Sequence, residues 1–487
     1  MSLPFFSHDI TLGLLASPLP WPRFRLKPKD QMHHATIWGR TGSGKSKLLE
    51  SVFLQHLKKG HGVGLIEPHH DLSFDCLTRL ISQGFFRHEA AYDRLVYVDW
   101  GNGCYVPFNV LAGRADPHTK ALNALEAMLR VWPELSEAPM FQQLFLSSLI
   151  VLIANELPIT HLYRLLTDAP FRDASLQKVS DPVVLQAFES YDKLGRDQVQ
   201  AAGSTLRRAF LLSFSPLARY TLGQSENWLD FRTWMDEGRS FIINLGNIND
   251  HETRKLIGAM LMVQIEQAAL SRTDMPAAAR TPCTLLVDEW PACAPRDHTI
   301  GTILSQTRKF NLRLYLAAQS LSQVSSQRLA GALENCRLAV VFGLGRDSAE
   351  LQAKHIGQAD PFAIKEEALT ATQHNQYLTI PEQFESWCQE LQNLSPRTAY
   401  VKLHDKPAAR IRTLRLPNVR VAQEELEEVL ATFRSRYQRT PKEAERATAG
   451  LSPPGAAQVP DPGAYAPSTT PFYTQFFRAS TRENGAV

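Results

Sequence analysis

Apolar residues are distributed along this chain in two textures. Short unbroken runs occur at His33 to Trp38, Gly62 to Ile66, Leu95 to Val98, Ser240 to Leu245, Thr284 to Val287, Leu312 to Ala317 and Leu338 to Phe342. Runs this short and continuous predict strands of the kind parallel sheets bury on both faces. Between the early runs, apolar positions return every three or four residues, as at Leu48, Leu49, Val52, Phe53 and Leu57. That is helical spacing, so the alternation predicts a doubly wound α/β core.

From about Gly113 to Gly238 helical periodicity takes over, with Leu125, Met128, Leu129 and Trp132, then Phe141 to Ile153, then Val199 to Leu212. An inserted all-helical domain is predicted there. Later, Ala399 to Leu403 and Arg410 to Leu416 read as a β-hairpin. Glu424 to Arg434 reads as an amphipathic helix with Leu426, Val429, Leu430 and Phe433 on one face. Beyond Thr440 the chain is rich in Pro, Ala, Gly, Ser and Thr, the composition of a flexible tail. The predicted division is an α/β core in two parts, 1–112 and 239–439, an all-helical insertion, 113–238, and a Pro-rich tail, 440–487.

Composition narrows this picture. A length of 487 residues fits about two to four domains, and 44% hydrophobic with 21% charged residues is ordinary for a soluble globular chain. The net charge of +3 does not mark a nucleic-acid binder, so any DNA contact must come from a local basic surface. The longest apolar stretch, Leu144 to Ala154, is interrupted by Ser147 and Ser148 and falls short of the ~20 residues of a membrane helix. Met1 to Pro22 lacks the parts of a secretory signal, so a cytoplasmic protein without membrane insertion is expected. The cysteines, Cys76, Cys104, Cys283, Cys293, Cys336 and Cys388, form no C-x-x-C pair and read as reduced, mostly buried thiols.

The candidate chemistry starts with Gly39-Arg40-Thr41-Gly42-Ser43-Gly44-Lys45-Ser46, which fits G-x-x-x-x-G-K-[ST] and lies between a predicted strand and a predicted helix. Such a loop wraps phosphates with backbone N–H groups; Lys45 would reach the β- and γ-phosphates and the Ser46 hydroxyl would ligate Mg²⁺. The metal-organising acid is expected at Asp288, which ends the run Thr284 to Val287. Glu289 follows it, placed to orient and deprotonate an attacking water. No N-K-x-D motif is present, which favours ATP over GTP. Gln319, just after the run Leu312 to Ala317, is expected at the carboxyl edge of the sheet, where it could sense the γ-phosphate. Arg308 is a candidate guanidinium supplied to a neighbouring subunit, or else a surface salt bridge or helix cap.

Six separated blocks then agree in type and order with one family. The P-loop, E-P-H-H-D-L at Glu67 to Leu72, the helical insertion, L-L-V-D-E-W, S-Q-T-R-K-F-N-L-R-L-Y-L-A-A-Q-S and G-L-G-R-D-S-A-E-L-Q-A resemble the TraG/TraD-like conjugative coupling ATPases of the HerA/FtsK superfamily, over roughly residues 32 to 420. The resemblance implies a RecA-like P-loop core with a mainly parallel sheet. It implies a hexameric ring that pumps DNA, with Lys45, Ser46, Asp288, Glu289, Gln319 and Arg308 in the roles above. It also implies a relaxase, nuclease or secretion-channel protein as partner, docked on the helical domain or the tail, and peripheral placement at the inner membrane through such partners. A nucleotide-controlled assembly platform is the alternative reading. Three departures stand out: no N-terminal transmembrane pair, Glu67 and His70 where the family has D-P-H-G-D-L, and Trp290-Pro291 after the acids. A left-handed turn at His70 would be less comfortable than at glycine.

Weaker signals remain. Arg23, Arg25, Lys27 and Lys29 would share one face of a strand, as a DNA-facing stripe or as an edge guarded against aggregation. Arg397, Lys402, Lys406, Arg410, Arg412, Arg415 and Arg420 form a basic stretch that fits a phosphate-contacting or a subunit-contacting surface. Lys193, Arg196, Arg207 and Arg208 could touch DNA at the ring entrance. His69, His70 and Asp71 lack a fourth ligand and read as loop residues rather than a metal site. The aromatic cluster Phe472 to Phe477 reads as a docking peptide or an incidental hydrophobic segment.

Overall fold

The structure, a computed structural model, describes residues 8–16, 22–192, 196–293, 304, 306–320, 333, 336–366, 376–404 and 406–451. The strands are β1 (Ile10–Leu15), β2 (Arg23–Leu26), β3 (Ala35–Trp38), β4 (Gly62–Glu67), β5 (Leu95–Asp99), β6 (Ser240–Asn244), β7 (Cys283–Val287), β8 (Leu312–Ala318), β9 (Leu338–Val341), β10 (Ile364–Glu366), β11 (Gln376–Tyr377), β12 (Thr398–Leu403) and β13 (Ala409–Thr413). Eleven of them form one sheet in the order β2-β1-β13-β12-β9-β3-β8-β7-β4-β6-β5, and β10 pairs with β11 separately.

From β9 to β5 every neighbouring pair is parallel. These strands are the short apolar runs of the sequence, and each is buried along its whole length because helices cover both faces. On one face lie α1 (Lys45–Lys58) and α2 (Asp71–Ser82), packed with Leu48, Phe53, Leu77 and Phe433 into one apolar cluster. On the other face lies the helix His251–Leu270, against which the helices between residues 117 and 222 pack in a second continuous cluster. The helix Pro117–Val131 is joined to it by Arg130, whose Nη2 lies 3.1 Å from Glu266 Oε2 with both side chains buried.

Beyond β9 the sheet turns antiparallel. The hairpin of β12 and β13 pairs with β9 through β12, and β1 and β2 then add to β13. The start of the chain thus completes a wing begun by residues 398–413. Arg23 and Arg25 stand exposed on the outermost strand β2 while Leu26 is buried, the pattern of an edge strand.

One expectation is corrected. The chain does not become a tail at residue 440: Pro441–Ala449 is a helix, opened by a reciprocal capping box between Thr440 and Glu443 with Pro441 at its first position. Those local start signals outweigh the composition of the stretch they introduce. Before it, Gln423–Tyr437 packs Phe433 against Tyr92 and Tyr97 at the β5 edge. After it, the Leu451 carbonyl lies 2.9 Å from His161 Nε2 in the helical segment. Residues 452–487, with the aromatic cluster, and Lys193 fall outside the described residues, as does the Arg196 side chain. Arg208 is engaged locally, 2.8 Å from Glu134 and stacked over Trp132. Among the described residues no helix is long and apolar enough to cross a membrane.

Candidate nucleotide site

The strand order places the site. In the parallel part β3, β8 and β7 are neighbours, so the residues leaving their carboxyl ends, Gly39, Gln319 and Asp288, come out side by side at one sheet edge. That edge is where open α/β sheets bind ligands. Gly39 N donates to Ala318 O at 3.3 Å, Arg40 N to Gly343 O at 2.9 Å, and the chain then turns into α1. Two glycines make the turn possible. Gly44 sits at φ 114, which L side chains rarely adopt. A Cβ on Gly39 would come within 2.6 Å of Ser43 Oγ and 2.7 Å of Phe342 Cβ.

The loop is also clamped from outside the motif. Arg397, itself at φ 68, donates its backbone N–H to Ser43 O at 2.8 Å, and its carbonyl accepts from Thr413 N at 2.8 Å. Nothing in the sequence signals this contact, because Arg397 lies in a loop before β12, hundreds of positions away.

Lys45 Nζ donates to Gly39 O at 2.5 Å and lies 3.8 Å from Glu289 Oε1. Ser46 Oγ donates to Asp288 Oδ2 at 3.1 Å. Asp288 is held by its N–H to Ile66 O at 3.1 Å, and Glu289 follows in a left-handed conformation, φ 41. Left-handed backbone at a non-glycine costs on the order of 1–3 kcal/mol and here places the carboxylate against the lysine. Thr41 Oγ1 donates to Gln319 Oε1 at 3.2 Å, tying the loop to the end of β8. Burial lowers the pKa of Lys45, opposed by Glu289 and Asp288. Burial raises those of Asp288 and Glu289, opposed first by Lys45 in each case.

The end of β4 and the residues after it complete the surroundings. Glu67, 1% exposed, accepts from Leu72 N at 2.8 Å and from the backbone and hydroxyl of Ser73, capping α2. Burial pushes its pKa up to about 7 against those hydrogen bonds. His70 takes φ 80, the conformation the family pattern fills with glycine, and its Nδ1 meets Asn244 Nδ2 at 2.6 Å. His69 lies close enough to oppose, as the smallest of several influences, the rise that burial imposes on Asp288 and Glu289.

The structure therefore brings Gly39 to Ser46, Asp288, Glu289 and Gln319 together. It does not bring Arg308 to them. Arg308 sits in the one-turn helix Thr307–Phe310 that leads into β8, at the amino edge of the sheet, where its charge lowers the pKa values of His33 and His34 after the larger effect of burial. β8 spans seven residues, so at ~3.3 Å per residue Arg308 is more than about 20 Å from Gln319. It is exposed there.

The donor set fits a nucleotide with its metal: a left-handed glycine turn without side chains, a buried ammonium, and a hydroxyl beside a buried carboxylate, with Ser43 Oγ buried and unpaired in the same loop. Fold and site together define a P-loop α/β protein. Among solved structures the chain is similar to "Bacterial conjugative coupling protein TrwBdeltaN70" in its unbound form, with a TM-score of 0.56 and 17% identity over 82% of this chain and 88% of that one. It is similar to TrwB in complex with the ATP analogue ADPNP, TM-score 0.55 and 17% identity over 82% and 89%. It is also similar to VirB4 of Thermoanaerobacter pseudethanolicus, TM-score 0.51 and 12% identity over 86% and 99%. At such identities the likeness is one of fold. No family model matches the sequence, and no curated protein matches it.

Proposed function

We propose that the protein is a Mg²⁺-dependent ATPase that moves DNA, a coupling-protein-like ring motor of conjugative transfer or a related DNA-processing system. The observation that carries this reading is the joining of Ser46 to Asp288 and of Lys45 to Glu289 at the carboxyl edge of a sheet arranged as in TrwB. TrwB has been seen in complex with ADP and Mg²⁺ and with ADPNP, which supports the same ligands here.

In this reading the amides of Gly42 to Ser46 and the Lys45 ammonium hold the phosphates, and Ser46 with Asp288 holds Mg²⁺. Bound metal supplies charge neutralisation for phosphoryl transfer. Glu289 orients a water for in-line attack on the γ-phosphorus and takes its proton as the bond to the β,γ-bridging oxygen breaks, releasing ADP and phosphate. Gln319, oriented by Thr41, reports on the γ-phosphate. Arg308, a sheet length from its own site, acts on the site of the next subunit in a hexamer, where head-to-tail contacts close a ring. The helices between 113 and 238, packed on the helix His251–Leu270, select substrate or a relaxase, nuclease or secretion-channel partner. The protein works in the cytoplasm, at the inner membrane only through partners.

The test is ATP turnover by purified full-length protein with Mg²⁺, with and without single- or double-stranded DNA, together with electron microscopy in the presence of an ATP analogue. Stimulation by DNA and rings with occupied centres are expected. Turnover indifferent to DNA, with no retention of DNA at low salt, would overturn the motor and favour a nucleotide-controlled assembly platform.

A further inference from the structure

Two arginine-bearing stretches from opposite ends of the sequence meet on one face of the antiparallel wing. Leu14 of β1 is paired on one side with Arg23 of β2 and on the other with Arg412 of β13. Residues directly opposite in antiparallel strands share a face, so Arg23, Leu14 and Arg412 form one row. Side chains two positions along point the same way, which adds Arg25 and Arg410. All four arginines are exposed. The other face is closed, with Leu26 and Ile411 fully buried.

Among the described residues charge compensation is sparse. Glu390 lies 3.5 Å from Arg410, while Arg23, Arg25 and Arg412 make no ion pair among the described residues. Arg415 stands exposed beyond the end of β13. Protection of a sheet edge accounts for Arg23 and Arg25 on β2, but β13 lies between β1 and β12, so Arg410 and Arg412 guard no edge. Like charges gathered without counter-charges repel one another, and a bound polyanion relieves that repulsion. The spacing suits one: about 7 Å along each strand and about 10 Å between β2 and β13. The neighbouring residue Thr413 donates to Arg397 O, and Arg397 N donates to Ser43 O, each at 2.8 Å. The face is therefore two backbone hydrogen bonds from the P-loop.

We propose that the Arg23, Arg25, Arg410 and Arg412 face binds a nucleic-acid phosphate backbone outside the nucleotide site and is mechanically joined to the P-loop through Arg397. The proposal rests on the DNA reading above. The test is fluorescence anisotropy of labelled duplex and single-stranded oligonucleotides against the full chain over a salt series, comparing wild type with R23A/R25A/R410A/R412A and with the four Arg→Lys changes. At ~0.9 per duplex phosphate contact, the loss of all four contacts should make the log–log salt slope of the alanine variant shallower by about 3.6 and its binding at least about tenfold weaker, with the lysine variant close to wild type. Protection of these arginines from phenylglyoxal by DNA in the wild-type chain gives the same answer without a variant. Equal affinity, slope and reactivity would overturn the face while leaving the motor reading intact; a wild-type chain that binds no DNA would overturn both. Loss of binding to anionic lipid vesicles with DNA binding unchanged would assign the face to a membrane and overturn the proposal.

Discussion

Ser46 and Asp288, 242 positions apart in sequence, are joined by a hydrogen bond of 3.1 Å at the edge of the sheet. A hydroxyl opening a helix and a carboxylate ending a strand meet in this way because β8 alone separates β3 from β7. Three substitutions separate the roles. Lys45→Ala should abolish nucleotide binding. Glu289→Gln should bind ATP but turn over about 10²–10⁴-fold more slowly, the usual worth of a general base. Ser46→Ala should raise the Mg²⁺ concentration needed for half-maximal rate. A fluorescent nucleotide titration and a phosphate-release assay check all three, and equal turnover by Glu289→Gln and wild type would remove Glu289 from the chemistry.

Arg308 cannot reach its own P-loop, because it precedes β8 while the loop follows β3 in a parallel sheet. If it serves the neighbouring subunit, Arg308→Ala should lose hydrolysis while keeping nucleotide affinity. Mixing it with Lys45→Ala subunits should then restore part of the activity, because each contributes what the other lacks. Wild-type turnover by Arg308→Ala would remove the guanidinium from the chemistry, and mixed assemblies as inactive as either parent would argue against its action in trans.

The same topology explains what was legible in the sequence. The P-loop and the Asp288–Glu289 pair were readable because each is a short local pattern at the end of an apolar run. Gln319 could be placed because it follows one. The strand β1 was not legible, since it is stabilised by pairing with β13, whose residues lie some four hundred positions on, whereas the alternation of Arg23 and Arg25 already read as one face of a strand. The Arg397 clamp was equally hidden, since a backbone N–H carries no side-chain signal. The helix Pro441–Ala449 was masked by its composition, although Thr440 and Glu443 mark its start.

His56 on α1 gives a pH prediction. It is 1% exposed, both ring nitrogens lack partners, and burial, followed by the charges of His61, Arg313 and Lys59, lowers its pKa to about 3. The unfolded chain takes up a proton near pH 6.5, so this group's contribution is fully present above that pH and is lost as pH falls toward 3. Between pH 6.5 and 5 the loss is about 2 kcal/mol, at ~1.4 kcal/mol per unit. His56→Leu should therefore flatten the decline of melting temperature between pH 7 and 5. An unchanged decline would mean that other groups, such as His34, carry it.

The Arg397 turn makes a final prediction, in which backbone and side chain are separable. Arg397→Gly keeps the N–H that reaches Ser43 O and relieves a left-handed residue of about 1–2 kcal/mol, while losing the guanidinium bond to Thr413 O, worth about 1 kcal/mol. The two nearly cancel, so stability and nucleotide affinity should stay close to wild type. Arg397→Pro removes the donor and holds φ near −65°, which φ 68 cannot accommodate. Ser43 O then loses its partner and the loop its clamp, and nucleotide affinity should fall by about tenfold or more, since each ~1.4 kcal/mol is a factor of ten. Titration with a fluorescent ATP analogue alongside thermal unfolding distinguishes loosening of the loop from global destabilisation. If the proline variant melts normally and binds nucleotide as wild type does, the contact between Arg397 and Ser43 does not position the P-loop.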